Sequence, residues 1–340
     1  MRILLIGGNG FIGRFVVALL KQQGHELAVF RRGTKAAALP GVREILGDRG
    51  QLSASAQELK HFAPDVVADF VISSGPQAEE LMNVFRGATQ RVVMLSSMDV
   101  YRAVGVSHGT EPGPLQDVPL TEESELRRNL HPYPPENLQN LRKIFTWVTD
   151  DYDKIPAENV VMNDSGLAGT VLRLPMVYGK GDPLHRFYPV IKRVVDGRRH
   201  IIFPETLAAW RSPRGYVENV AAAIALAATD SRAAGRIYNV CEEPPFSELE
   251  WAQKIAGEMG WEGEFVVLPV ERTPSHLVRP GNAAQHWAAS SARIRRELGY
   301  EEPVAIEEAI RRTIQWERES PPEEGCLAPL NYAAEDAAIS

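Results

Sequence analysis

The sequence predicts a doubly wound α/β protein, a parallel sheet covered by helices on both faces, with a smaller C-terminal substrate lobe. Three observations lead there. Residues 1–13 read MRILLIGGNGFIG, an apolar run that breaks into spaced glycines and passes into a helical pattern. Short, continuously apolar strands then alternate with helices as far as Leu174, the pattern of strands buried on both faces. Beyond Leu174 the alternation stops and mixed elements follow.

Ile3–Ile6 is the first strand, and Phe15, Val16, Leu19 and Leu20 mark the apolar stripe of the first helix. Between them Gly7 permits a tight turn, Gly10 lets the backbone approach a ligand, and Gly13 lets the helix pack on the strand. The turn Gly7, Gly10, Phe11, Ile12 and Gly13 thus offers backbone N–H groups and a positive helix end to a pyrophosphate.

Further strands are expected at Glu26–Phe30, Val42–Leu46, after Pro64-Asp65, at Arg91–Leu95 and at Gly169–Leu174. Residues 105–150 carry Pro112, Pro114, Pro119, Pro132, Pro134 and Pro135 with little periodicity, which reads as a long loop or inserted lobe. Val217–Ala228 is a small-residue helix, and Ile237–Val240 is a short strand expected to rejoin the main sheet. Ser247-Glu248-Leu249-Glu250 is a capping box opening a helix through Glu258. Ile306–Glu317 is an amphipathic helix, and the tail from Pro321 is expected to be loosely held. The implied division is a dinucleotide-binding domain over 1–182 with an insertion at 105–150, a substrate lobe over 183–320 that returns some segments to the sheet, and a tail over 321–340.

A net charge of −7 argues against nucleic acid and anionic membrane as partners. No apolar run is long enough to span a bilayer. Cys241 and Cys326 make no disulfide framework, and Met1 leads almost directly into the first strand, leaving no room for a signal peptide. A reducing, cytoplasmic setting is therefore expected, with a small-molecule substrate, no metal, and a homodimer left open.

The chain resembles an extended short-chain dehydrogenase/reductase of the NAD-dependent epimerase/dehydratase kind over residues 1–318. The resemblance rests on GGNGFIG at 7–13, LSSMDVY at 95–101, PLTEESELR at 119–127, LRLPMVYGKGD at 172–182, RGYVENVAAAI at 214–224 and YNV at 238–240. It implies an N-terminal Rossmann domain and a C-terminal domain that holds the substrate. It does not fix the reaction, because one fold hosts many chemistries.

Domains that bind NAD carry an acidic residue at the end of the second strand for the ribose 2′-hydroxyl. Here Arg31 takes that place and Arg32 follows. Guanidinium groups pair with a 2′-phosphate, so NADP(H) is expected, with NAD as the alternative. Asp48 resembles the family's adenine-contacting Asp; a turn cap is the equal alternative.

The family's reaction centre is a Ser, a Tyr and a Lys, the last two spaced Tyr-x-x-x-Lys. Ser97 matches the Ser. In Asp150–Glu158 the pair is broken. Aligning on Tyr152 puts Pro156 at the Lys position. Aligning on Lys154 matches a Lys-x-x-x-Glu run through Glu158 but puts Asp150 at the Tyr position. The second register is preferred, with Lys154 keeping the cofactor-ribose role. Tyr152 would then lie about 200° round a helix from Lys154, an objection that weakens if the helix begins at Asp153 or later. Asp99 is the substitute acid/base, two residues from Ser97 and on the same side of an extended backbone. It falls at the second of two acidic positions that the family's sugar-nucleotide dehydratases carry, Met98 replacing the first; a helix or turn cap is its alternative. Tyr133 is a further candidate acid, and His185 and Arg186 are candidate pocket residues.

The reading is an NADP(H)-binding oxidoreductase, epimerase or dehydratase acting on a small polar substrate, a sugar nucleotide being one candidate. The broken Tyr–Lys pair leaves a second reading, a non-catalytic dinucleotide sensor. An RNA-binding relative is disfavoured by the acidic balance.

Overall fold

Apolar side chains along each strand of the main sheet sort alternately onto two faces, as the strand period of two requires. Ile3, Leu5, Val29, Val93 and Leu95 enter one core, while Leu4, Ile6, Ala28, Phe30, Val92 and Met94 enter the other. Two faces are thus buried, and the sheet is the middle layer of three. The structure, a computed structural model, describes residues 1–33, 40–133, 135–323 and 330–340; Pro134 and Cys326 lie outside them.

The strands are β1 (Arg2–Ile6), β2 (Glu26–Arg31), β3 (Arg43–Leu46), β4 (Val66–Asp69), β5 (Arg91–Ser97), β6 (Ala168–Leu174), β7 (Met176–Tyr178), β8 (His200–Pro204), β9 (Arg214–Tyr216), β10 (Arg236–Asn239) and β11 (Glu264–Leu268). Seven of them form one sheet in the order β3-β2-β1-β4-β5-β6-β10, all pairs parallel. The order reverses between β1 and β4, which opens a crevice at their carboxyl ends. Ile237–Asn239 lies in this sheet, pairing with β6. Two small parallel pairs, β8 with β11 and β7 with β9, lie outside it.

The helix Gly13–Gln22 buries Gly13, Val16, Val17 and Leu20. It packs on Val217–Thr229, whose alanines let the axes approach; Ala221, Ala223, Ala225, Ala227 and Ala228 are all buried. The capping box forms at Ser247 and Glu250 and starts the helix Glu248–Glu258. Residues 105–150 are partly helical, over Arg102–His108 and Pro135–Ile144.

The end of the chain differs from expectation. Tyr332–Ile339 is a helix whose Glu335 is buried against Arg193 (2.5 Å) and His276 (3.1 Å). Tyr332 adds a hydrogen bond to Asp196 at 2.6 Å. These partners lie far away in sequence, so neither local periodicity nor composition reveals the docking.

Candidate functional site

The glycine turn sits at the carboxyl end of β1, and its geometry matches the roles read from the sequence. Gly7 has φ +79°, a conformation that favours glycine. A Cβ on Gly13 would stand 2.7 Å from the backbone of Gly8, so the helix could not pack there with any side chain. A Cβ on Gly10 would meet only the Gly7 carbonyl oxygen, at 3.4 Å. Gly8, given no role from sequence, is equally tight: a Cβ would lie 2.9 Å from Leu5. Phe11 and Ile12 complete the turn, Ile12 as the residue before the helix. This cradle fits a diphosphate at a helix N-terminus.

At the end of β2, Arg31 is committed to Glu44 of β3, with Nε 2.9 Å and Nη2 3.0 Å from the two carboxylate oxygens. Arg32 is exposed and reaches Thr146 Oγ1 at 2.6 Å. Asp48 accepts from Gly50 N at 2.9 Å, the cap reading left open above. Behind it Arg49 pairs with the fully buried Asp69 at 2.7 Å.

The catalytic candidates gather at the ends of β4 and β5. The helix Lys154–Asn163 starts at Lys154 with Asp153 as its cap, accepting from Ile155 N at 2.7 Å. Pro156 therefore falls in the first turn, where no N–H is needed. Its register is locked from below. Glu158, one turn on, is buried and pairs with Arg173 of β6 at 2.7 Å while accepting from Ser96 Oγ of β5. Arg173 continues to Tyr101 Oη at 3.1 Å, and Tyr101 to Asn239 of β10 at 2.6 Å. This buried network holds Lys154 over the ends of β4 and β5, where its ammonium donates to Ile72 O and, at 3.2 Å, to Leu95 O. The amine lies 4.8 Å from the Trp147 ring centre and 5.7 Å from that of Tyr152. Burial lowers its pKa from 10.5 to about 8, against the pull of Asp99, Asp69 and Glu158.

Tyr152 precedes the helix, so the objection that it sits on the far face from Lys154 does not apply. Its hydroxyl donates to Asp99 Oδ2 at 2.9 Å, and Tyr133 donates to the same oxygen at 3.1 Å. Asp99 Oδ1 is buried with no hydrogen-bond partner among the described residues. Burial, then the Asp99 charge, pushes both phenols well above their ordinary pKa. Ser97, at the end of β5, caps the following turn by accepting from Asp99 N at 3.1 Å. Arg127 fixes this turn, donating from Nε to Asp99 O at 2.5 Å while facing Asp153 at 3.3 Å.

His185 and Arg186 are tied elsewhere. His185 Nδ1 meets Glu317 at 2.6 Å and its ring stacks on Trp316, and Arg186 donates to Val177 O at 2.8 Å and pairs with Asp182.

Sequence reading missed a cluster of side chains that reaches Tyr133. Arg279 lies 4.0 Å from the Trp210 ring centre and 4.9 Å from that of Trp287. Among the described residues it has neither a hydrogen bond nor an ion pair, and burial lowers its pKa. Trp287 then meets His108 edge-on at 5.5 Å, and His108 leads to Tyr133 at 6.1 Å. These side chains come from segments around His108, Tyr133, Trp210 and Arg279–Trp287 that are far apart in sequence, so no local spacing reveals them.

The described residues contain no helix long and apolar enough to cross a membrane. The profile of the NAD-dependent epimerase/dehydratase family matches residues 3–241. The 2′-dehydrokanamycin reductase of Streptomyces kanamyceticus is 24% identical over 285 residues, covering 82% of this chain and 72% of the relative. A UDP-glucose 4-epimerase of Thermotoga maritima, solved with UDP-glucose, superposes with a TM-score of 0.68 at 17% identity, covering 95% of this chain and all of the other. A dTDP-glucose 4,6-dehydratase of Bacillus anthracis, solved with NAD, gives 0.66 at 18% identity, covering 94% and 97%.

Proposed function

Because this chain belongs to the NAD-dependent epimerase/dehydratase family, we propose that it is a nicotinamide-dependent oxidoreductase-type enzyme acting on a small polar substrate that carries an anionic group, of the sugar-nucleotide kind. The glycine turn would hold the diphosphate, Lys154 the nicotinamide-side ribose, Asp48 the adenine, and Arg31 with Arg32 the adenosine ribose. When bound, a nicotinamide dinucleotide supplies a hydride donor or acceptor.

NADP(H) is the preferred form in this reading, on the strength of the two arginines. The Arg31–Glu44 pair leaves Arg32 as the cation more open to a 2′-phosphate, so the preference over NAD(H) is modest. The 2′-dehydrokanamycin reductase and the sugar-nucleotide enzymes among the relatives support a polyhydroxylated substrate. Arg279, stacked against two tryptophans and without a carboxylate partner among the described residues, is suited to the substrate's anionic part.

The observation that carries the reading is the Asp99 carboxylate, with one oxygen fixed by two phenols and the other buried without a partner among the described residues. Phenols pushed above their ordinary pKa stay protonated at neutral pH, so neither can serve as the base. The carboxylate takes that duty. Asp99 Oδ1 accepts the proton of a substrate hydroxyl on oxidation and returns it on reduction. Tyr133 and Tyr152 hold the carboxylate in place as donors. The test is to mix purified protein with NADP⁺ or NADPH and a panel of nucleoside diphosphohexoses, following nicotinamide absorbance and product mass. Turnover that Asp99→Asn abolishes is expected. Tight dinucleotide binding with no turnover on any member of the panel favours the rival reading, a non-catalytic sensor.

A further inference from the structure

His108 is an imidazole without an assigned task. It ends the short helix Arg102–His108, and Gly109 turns the chain away with φ +72°. The residue is solvent-exposed, and its ring nitrogens have no hydrogen-bond or ion-pair partner among the described residues. Its place is nonetheless fixed. The edge-on contact with Trp287 and the tilted contact with Tyr133 hold the ring on two sides. Next to it, Asn282 N donates to Ser107 O at 2.7 Å, tying this helix end to the loop that carries Arg279. His108 therefore stands in a chain of contacts between two chemically distinct groups. Tyr133 on one side is hydrogen-bonded to Asp99, and Trp287 on the other is stacked under Arg279.

We propose that His108 is a specificity-determining residue that hydrogen-bonds a hydroxyl of the substrate, in the stretch between the carbon that reacts at Asp99 and the anion that Arg279 takes. The proposal rests on the substrate class given above and adds to it a recognition element for a hydroxylated ring. The protonation state suits the task. Although the residue as a whole is exposed, its ring loses water where it packs against Trp287 and Tyr133; that desolvation and the charge of Arg279 lower the imidazole pKa, with Arg127 acting in the same sense and Asp99 opposing. A neutral imidazole presents one N–H donor and one bare acceptor nitrogen, the complement of a hydroxyl, which can accept and donate. A protonated imidazole has two donors and would compete with Arg279 for the anion.

The experiment compares UDP, which carries the anion without the sugar, with UDP-glucose, by calorimetric titration into the wild-type full chain saturated with NADP⁺. His108→Phe keeps a ring to pack on Trp287 and Tyr133 but removes both hydrogen-bonding nitrogens. It is expected to lose about tenfold in UDP-glucose affinity, the usual worth of one such hydrogen bond, with UDP and NADP⁺ affinities unchanged. His108→Gln, which keeps a donor and an acceptor, is expected to restore part of the loss. Equal weakening of UDP and UDP-glucose in His108→Phe, or no weakening of either, overturns the assignment while leaving the substrate class standing. A wild-type protein that binds NADP⁺ but neither UDP nor UDP-glucose overturns the substrate class, and the role of His108 with it.

Discussion

Lys154 offers a measurement in which the fold and the site report on each other. The residue is 2% exposed and its pKa falls from 10.5 to about 8, chiefly through burial. A drop of that size corresponds to about 3.4 kcal/mol, at about 1.36 kcal/mol for each tenfold change. With the folded pKa below the unfolded one, the unfolded chain binds more protons between pH 8 and 10.5, so stability rises with pH across that window. The cost of the buried charge is fully present below pH 8 and gone above 10.5. Lys154→Met removes the titrating group at nearly constant length. It also leaves Ile72 O and Leu95 O without their donor, a loss of roughly 1–3 kcal/mol, but that loss is the same at every pH. The stability difference between wild type and variant should therefore move in favour of the wild type by about 2 kcal/mol between pH 7 and 9.5, from the same two pKa values. Denaturant unfolding of both proteins at the two pH values measures it. The same deprotonation removes a charged donor from the ribose position, so NADP⁺ affinity should fall above pH 8 in the wild type and stay flat in the variant. A stability difference independent of pH would refute the reasoning, because it would mean that Lys154 keeps an ordinary pKa in the fold.

Asp99→Asn should slow turnover by two orders of magnitude or more on any confirmed substrate, roughly the worth of one general base, while Tyr152→Phe should cost about tenfold or less because Tyr133 still donates to the same oxygen; steady-state rates decide, and the reverse order would return the acid/base role to Tyr152. Arg31→Ala with Arg32→Ala should weaken NADP(H) but not NAD(H) in calorimetric titrations, and equal effects on both would remove the 2′-phosphate reading. Gly13→Ala should lower stability by roughly 1–3 kcal/mol and weaken dinucleotide binding as well, since a Cβ there would stand 2.7 Å from the Gly8 backbone; unchanged melting and binding would show that the turn relaxes at no cost.

What was legible in the sequence was whatever is local. The strand at Ile3–Ile6, the glycine turn and the capping box at Ser247 each need only a handful of consecutive residues, and each lies where the spacing put it. The Lys-x-x-x-Glu spacing that motivates the Lys154 register is local too, and in the structure Glu158, one helical turn on, is the buried anchor to Arg173 that sets the helix on the sheet. Arg279, Trp210 and Trp287 escaped because a cluster built from distant segments has no period. The docked C-terminal helix escaped for the same reason, its Glu335 meeting partners 142 and 59 residues away. The Arg31–Glu44 pair also depends on distance, since it needs β2 and β3 to be neighbours before the two charges can meet.

The broken Tyr-x-x-x-Lys spacing acquires a physical meaning from these positions. A tyrosine can serve as an acid/base near neutral pH only if a nearby cation brings its pKa down from about 10. Here the candidate, Lys154, points two of its three N–H donors at Ile72 O and Leu95 O and lies 5.7 Å from the centre of the Tyr152 ring. The phenol's own hydrogen bond goes to a carboxylate, which drives its pKa the other way. Moving the tyrosine two residues toward the lysine thus does more than shift a motif. It takes the hydroxyl off the helix face, delivers it to Asp99, and exchanges a tyrosine poised to lose a proton for one that holds a carboxylate. The carboxylate then has its second oxygen buried without a partner among the described residues. On the proposed reading the proton-transfer group and the ribose-binding lysine are separate residues on separate elements, Asp99 after β5 and Lys154 at a helix start. Each can therefore be removed without disabling the other: Lys154→Met should strike cofactor affinity and Asp99→Asn the chemical step, a separation that a coupled Tyr–Lys pair does not allow.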